Sequence, residues 1–363
     1  MADRLTEYRG KRDAKRTPEP VPAKAPQAGR GDTFVIQQHH ARSLHWDLRL
    51  ERDGVLVSWA VPRGLPRDPA HNHLAVHTED HPMEYADFHG EIPAGEYGGG
   101  RMTIYDRGTY TTEKWRDDEV IVVLRGERVS GRYVLFQTGG KDWMVHRMDP
   151  PPPGWSPMPE SVAPMLPTRA GELPEDDEAW GYELDWPGIR AIGYVAGGRL
   201  RLTDGARDIT AEYPQPRGLG EALAPTECVL DGVLVSFDAQ GRVGSPGDSA
   251  SRSGARGSAS RSGARGAAGA RGAAGADVHF LATDLLWLDG VSTVDLPYER
   301  RRELLGALDL AGPYWQTPPH FAGGGSFALQ ASRDQGIPGV LAKRLDSPYQ
   351  PGRRTRRWLR IST

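Results

Sequence analysis

The 363-residue chain has a single cysteine, Cys228. It therefore has no intrachain disulfide and no cysteine-based zinc site, which fits a reducing cytoplasm. Cys228 lies in the apolar run CVLDGVLV and reads as a small core residue. No apolar run is long enough to cross a bilayer and no signal-peptide pattern is present, so no membrane role is expected. A nucleotide-binding P-loop is missing as well. The glycine-rich turn at 90–100 (GEIPAGEYGGG) has neither the Gly-Lys-Ser/Thr ending nor a following helix. Neither sign of charge dominates, since 45 Lys and Arg nearly balance 48 Asp and Glu for a net charge of −3, although the charge is unevenly placed. No lysine occurs between Lys141 and Lys343.

A hydrophobic content of 38% is enough for globular cores, and the length suggests two or three domains. Gly and Pro together make up about a fifth of the residues, so much of the chain is turn or linker. Residues 1–31 are basic and proline-containing, and by composition alone they read as a disordered tail that docks on phosphates. TFVIQ, HWDLRL and VLVSWAV then read as strands, with Arg52-Asp53-Gly54 as a turn. LAVHT, MTIYDRGTY, VIVVLRG, GRYVLFQT and WMVHR follow as short strands between glycine turns. This spacing predicts an antiparallel barrel or sandwich ending near Asp149. Residues 150–163 read as a Pro-rich linker. Residues 172–185 are acidic, and strands and hairpins follow from Tyr182 to Phe237. Residues 245–276 are low-complexity, with SASRSGARG occurring twice, and are expected to be disordered. Order resumes with the strand VHFLATDLLWLDG and the helix PYERRRELLGAL at 297–308. Residues 343–360 are strongly basic, with Tyr349 and Trp358 interleaved, which is a nucleic-acid footprint by charge.

The organising stretch is residues 37–51, QQHHARSLHWDLRLE. Read as a strand from His45, it alternates faces with period two. His45, Asp47 and Arg49 share one face, and Trp46, Leu48 and Leu50 share the other. His39 can reach the first face from just upstream. Two histidines and a carboxylate offer a divalent metal three N/O ligands and leave positions open for water or substrate. An arginine about 7 Å beyond the aspartate suits a grip on phosphate oxygens. Each histidine alone reads as part of a solvated polar face. The set H-x5-H-x-D-x-R reads as a site, because alternation gathers its last three members. Spacing alone does not name the metal or the reaction, and a non-haem iron oxygenase uses the same ligand types. His81, which opens a turn before a proline, is a further candidate.

Several separate segments, in order, resemble the 3′-phosphoesterase domain of bacterial DNA ligase D. They are QHHARSLHWDLRLE, LVSWAVPRGL, LAVHTEDHPMEYADFHGEIPAGEYGGG and WMVHR, covering roughly 5–149. The resemblance implies a β-barrel in which His39, His45 and Asp47 hold a divalent metal, usually manganese. It also implies that Arg49, His81 and Tyr85 engage the scissile phosphate, with Gln37 and Glu79 in support. YRGKRDAKRTPEP resembles the family's leading segment and would bring Arg12, Asp13 and Glu19 into the site, against the disordered-tail reading. His73 stands where the family tends to have arginine, which would weaken phosphate grip or strand-end recognition. His40, beside His39, is an alternative ligand.

Residues 164–363 resemble the ATP-dependent DNA ligase catalytic domain, an α+β nucleotidyltransferase. The carriers are PMLPT, GYELDWPGIRA, CVLDGVLVSFD, TDLLWLDG, LPYERRRELL and GVLAKRLDSPYQPGRRTRRWLRI. The family's nucleophilic lysine falls on Asp185 and its motif aspartate on Pro187. Its LDGE glutamate falls on Val233, the glutamate before GVLAK on Pro338, and its last lysine pair on Arg360 and Ser362. Lys343 and Arg190 persist. A carboxylate cannot form a lysyl-AMP, so the resemblance implies a pseudoligase, and no OB-fold is expected after it.

The chain is thus expected to be a cytoplasmic, nucleoid-associated enzyme that trims DNA 3′ ends, removing a 3′ ribonucleoside and then a 3′ phosphate. A DNA-end-binding protein and a separate ligase are its expected partners. The competing reading is a non-catalytic DNA-end scaffold. An active ligase would need a substitute lysine, and none lies near Asp185. An oxygenase leaves Arg49, Tyr85 and the basic tails unexplained.

Overall fold

A computed structural model describes residues 3–25, 29–151, 153–238, 240–246 and 277–363. The low-complexity stretch expected at 245–276 lies, from 247 onward, outside the described residues. The chain divides into two compact units, 1–153 and 154–363.

The first unit contains β1 (Thr33–His40), β2 (Leu44–Arg52), β3 (Val55–Val61), β4 (His73–His77), β5 (His81–Pro82), β6 (Gly90–Ile92), β7 (Gly100–Trp115), β8 (Glu119–Gly126), β9 (Ser130–Gly139) and β10 (Asp142–Arg147). Pairing runs β1-β2-β3-β4-β10-β9-β8-β7, and β7 pairs back onto β1. The sheet closes into the eight-stranded antiparallel barrel that its short strands predict. Closure leaves no long open edge to aggregate.

The register of β2 is set by two local features. Asp53 and Gly54 both have positive φ, at 54° and 81°, and Arg52 pairs with Val55. This is the two-residue hairpin turn that suits the right-handed twist of strands. Trp46, Leu48 and Leu50 are buried on one face, each contributing roughly 1.5–3 kcal/mol. A one-residue slip would turn all three outward, so packing on that face also decides where His45, Asp47 and Arg49 point.

The N-terminal segment is ordered, contrary to the composition-based tail reading. A helix spans Thr6–Gly10, and Leu5, Tyr8, Thr17 and Glu19 are buried. Its basic side chains find partners on the barrel: Arg4 Nε donates to Asp80 Oδ2 at 2.8 Å, and Arg4 Nη1 to the Arg52 carbonyl. Net charge per segment misses such pairing, because Asp80 lies 76 residues from Arg4.

Among the described residues the second unit holds two sheets. One sheet contains Leu166–Ala170, Arg354–Ser362, Gly339–Arg344, Trp180–Leu184 and Phe321–Ala322. The other is centred on Ile189–Ala196, Cys228–Phe237 and Val278–Leu288. The last two strands are buried almost throughout, Cys228 among them. Such near-continuous apolar runs belong to strands covered on both faces. The helix expected at 297–308 spans Tyr298–Gly306, with Pro297 at its N-cap. Helices Gly218–Leu223 and Gly325–Asp334 have weaker sequence signals and are additions. Of the Pro-rich stretch 150–163, the residues from Gly154 on belong to the second unit, and Val162 is buried there.

Candidate functional site

Strands β1 and β2 place His39 directly opposite His45, and Gln37 opposite Asp47. Ligand atoms of His39, His45 and Asp47 all lie within 4.8 Å of one another. His39 Nδ1 is 3.9 Å from Asp47 Oδ2, and His45 Nε2 is 3.7 Å from Asp47 Oδ1. These separations are too long for hydrogen bonds and suit donors spaced around a common centre. The remaining ring nitrogens are anchored: His39 Nε2 donates to the Gly98 carbonyl at 2.9 Å, and His45 Nδ1 to the Ser43 carbonyl at 3.0 Å. A ring nitrogen tied to a carbonyl leaves the other as a bare lone pair, the arrangement found around metal-ligating histidines. Burial lowers the His39 pKa, which also favours the neutral ligand form. The donor set therefore fits a divalent cation. His40 lines the same cavity but stands outside this trio.

The cavity has a volume of about 950 Å³. Its walls include Arg12, Glu19, Arg49, Glu79, His81 and Tyr85 as well as the trio. Arg49, 2% exposed, is held through three of its five N–H groups. Nε donates to Gln37 Oε1 at 2.7 Å, Nη1 to Ser58 Oγ at 2.9 Å and Nη2 to Asp47 Oδ2 at 2.9 Å. Gln37 is itself fixed by donating to the Tyr85 and Phe88 carbonyls. Arg49 thus orients the Asp47 carboxylate and has two N–H groups left over, while its Cζ lies 4.7 Å from the Tyr85 ring centroid.

His81 donates from Nδ1 to the Glu79 carbonyl at 2.8 Å, and its Nε2 lies 3.4 Å from Arg12 Nη2. Burial, and then the charges of Arg49 and Arg12, hold its pKa well below the usual histidine value. In this state His81 is a neutral acceptor at Nε2. The Tyr85 hydroxyl donates to Glu19 Oε1 at 2.9 Å, and burial keeps it protonated well above the usual phenol range. The same Glu19 oxygen accepts from Arg12 Nε at 2.9 Å, and Arg12 Nη1 donates to Glu79 Oε1 at 3.0 Å.

Two residues from the sequence reading stand apart from this cavity. Asp13 is exposed, and its carboxylate accepts the Lys15 backbone N–H at 3.0 Å. His73 is half-buried and donates from Nδ1 to the Gly64 carbonyl at 2.7 Å. Neither lines the cavity. Other contributors went unnoticed in the sequence. Lys11 Nζ donates to Glu79 Oε2 at 2.9 Å, and Ser58 and Tyr97 join through Arg49 and Glu79. Tyr97 sits in the glycine-rich turn set aside as a nucleotide loop, and a turn beside a ligand cluster was the available signal.

In the second unit, Asp185 pairs with Arg360, Nη2 to Oδ1 at 3.0 Å and Nε to Oδ2 at 2.9 Å. Lys343 is fully buried and pairs with Glu183 Oε2 at 2.8 Å. Tyr298 donates its hydroxyl to Glu183 Oε1 at 2.6 Å. Arg190 is bound to Asp231 through both carboxylate oxygens.

The family model of the DNA ligase D 3′-phosphoesterase domain matches residues 37–137, and that of the ATP-dependent DNA ligase domain matches residues 164–361. Together these define a ligase-type nucleotidyltransferase preceded by a phosphoesterase-type barrel. The chain belongs to the DNA ligase D family of ATP-dependent DNA ligases. It is 46% identical to the multifunctional non-homologous end joining protein LigD of Mycolicibacterium smegmatis, over 99% of this chain and 46% of that protein. It is 32% identical to the Pseudomonas aeruginosa protein of the same name, over 98% of this chain and 47% of that protein. A solved mycobacterial DNA ligase D complexed with ATP and MES aligns at TM-score 0.45 and 36% identity, over 55% of this chain and 60% of that one. The chain spans about half the length of the curated relatives it matches. No helix among the described residues is long and apolar enough to cross a membrane.

Proposed function

We propose that the barrel unit is a metal-dependent phosphoesterase that trims DNA 3′ ends for double-strand-break joining. It would remove a 3′-terminal ribonucleoside and then the remaining 3′ phosphate, leaving a 3′-OH. The second unit would be a pseudoligase that contributes DNA binding. The observation that carries the first reading is the convergence of His39 Nδ1, His45 Nε2 and an Asp47 oxygen with both opposite ring nitrogens anchored.

A divalent ion in that trio, manganese by family resemblance, would supply charge neutralisation of phosphate oxygens and a water of lowered pKa. The protein's own groups account for the rest. Arg49 offers its two remaining N–H groups to the phosphoryl oxygens and holds Asp47 in its ligand orientation. His81, neutral with a lone pair at Nε2, accepts a hydrogen bond or a proton from the attacking water. Donating a proton to the leaving oxygen would first require protonation, which burial and two arginines oppose. Tyr85, a phenol kept protonated beside His81, would serve as the O–H donor once its hydrogen turns from Glu19 to the leaving oxygen. Water adds to phosphorus as the P–O5′ bond to the terminal ribonucleoside breaks. In the second round the P–O3′ bond breaks and inorganic phosphate leaves.

In the second unit, the reading rests on Asp185, whose two oxygens are both taken up by Arg360. A carboxylate has no amine nitrogen, so Asp185 cannot form the phosphoramidate with AMP, and its contacts hold it against Arg360. That same loss favours the second reading, a DNA-end scaffold without catalysis.

The test is processing of a labelled primer-template carrying one 3′-terminal ribonucleotide, with manganese and with Asp47→Ala and His81→Ala in parallel. Shortening to a 3′ phosphate and then a 3′-OH, reduced more than a hundredfold by Asp47→Ala, is expected, since ligand loss should exceed the 10–100-fold cost of losing a supporting residue. Labelled ATP should leave no protein-bound AMP. Bound but uncut primer with manganese, cobalt or zinc would instead establish the scaffold.

A further inference from the structure

Tyr97 is unusual within the barrel. It is 47% exposed, yet it lines the cavity holding the metal-type donors, whereas Tyr8, Tyr85, Tyr110 and Tyr133 are buried. It sits on a turn that the chain makes rigid. Glu96 N–H bonds to the Pro93 carbonyl and Gly99 N–H to the Glu96 carbonyl, both at 3.1 Å. Gly95 and Gly98 have φ of +98° and +75°, a region that favours glycine. The next residue, Gly98, supplies the carbonyl that anchors His39. One turn therefore orients a metal donor and presents an aromatic ring beside it.

The ring is also held from the N-terminal segment. Lys11 Nζ lies 4.8 Å and Arg12 Cζ 5.3 Å from its centroid. Its hydroxyl is 3.4 Å from Glu79 Oε2. Nearly half of the residue stays open after these contacts, in a cavity whose other walls mix charged groups with small or aliphatic ones such as Ala41, Ala94 and Met102.

We propose that Tyr97 and its glycine turn form a nucleobase-stacking subsite that receives the terminal base of the 3′ end, next to the centre that acts on its phosphate. This rests on reading the cavity as a site for a nucleic-acid end. A bare aromatic face stacks on any base, and removing such a face weakens single-strand binding by about five- to a hundredfold. The subsite would therefore discriminate poorly among the four bases and strongly between a base and none.

The experiment uses the full chain with EDTA, so that nothing is cut, and a primer-template whose 3′-terminal ribonucleotide is 2-aminopurine. Wild type, Tyr97→Phe and Tyr97→Trp should quench its fluorescence on binding. Tyr97→Leu should not, and should raise Kd about tenfold. Wild type should bind the same primer with an abasic terminal residue about tenfold more weakly, a comparison that depends on no variant. On the abasic primer, wild type and Tyr97→Leu should agree within about twofold.

Tyr97→Phe behaving like Tyr97→Leu would overturn the proposal, since it would assign the effect to the hydroxyl. An equal penalty for Tyr97→Leu on both primers, or equal wild-type affinity for both, would do the same. Tyr97-dependent quenching without cleavage under manganese keeps the subsite and removes the phosphoesterase; cleavage without such quenching removes the subsite alone.

Discussion

The two units place similar residues in their central clusters and reach opposite outcomes. In the barrel, His39 Nδ1 and His45 Nε2 stand 3.9 and 3.7 Å from the oxygens of Asp47, which pairs with Arg49 on one side and leaves a gap on the other that a cation would fit. In the second unit the acids are closed off: Asp185 by Arg360, Glu183 by Lys343 and Tyr298, Asp231 by Arg190 and Tyr349, Asp284 by Arg301. Donor atoms that converge without meeting can share a cation, whereas charges already in contact leave no room for one. Residue type alone does not distinguish a site from a scaffold; unmet valence at short range does.

The largest expected effect tests the closed side of this contrast. Glu183 is 1% exposed, and its removal strands Lys343, which is fully buried and whose pKa burial already lowers. Glu183→Ala should cost roughly 3–5 kcal/mol in urea unfolding, while Glu183→Ala combined with Lys343→Met should recover most of that. A single variant as stable as wild type would mean that the cluster is not a structural pair.

Acid should separate the two units by a smaller margin. Burial, the first cause in each case, depresses the pKa of His39, His73, His77 and His81 in the barrel and of His279 and His320 in the second unit. A depressed histidine binds fewer protons folded than unfolded. Its contribution is fully present above about pH 6.5 and is lost as pH falls from there towards the folded value. The barrel has more such groups, so hydrogen exchange at pH 5.5 against pH 7.5 should accelerate there first. Earlier opening of the second unit would contradict this attribution.

The smallest effect concerns His73. Because it lies outside the cavity, His73→Arg should change kcat/KM for primer trimming by no more than about threefold, in the range of ordinary surface replacements. A larger gain would show that the position contacts the substrate beyond the cavity wall.

Much of the barrel was legible because its strands are short, alternate cleanly and end in glycine turns. Period two by itself puts His45, Asp47 and Arg49 on one face. The family resemblance, rather than spacing, supplied Arg12, Glu19, Glu79 and Tyr85. Composition misread the N-terminal segment, since the acids that neutralise Arg4, Lys11 and Arg12 include Asp80 and Glu79, far along the chain. Asp13, adjacent to Arg12 in sequence, points to solvent, because neighbours at a turn share no common face.

By itself, then, the sequence determined the barrel's strand pattern, the ligand types on β2 and the absence of lysine at position 185, since all three depend on local periodicity or side-chain chemistry. Only the tertiary structure decided that His39 rather than His40 joins the trio, because that follows from pairing with β2 and from the Gly98 carbonyl. It alone matched Asp185 with Arg360 and set Tyr97 beside His39. The Gly98 carbonyl lies 59 residues from His39 and Arg360 lies 175 from Asp185, and such meetings are set by strand register and chain closure, which no local pattern encodes.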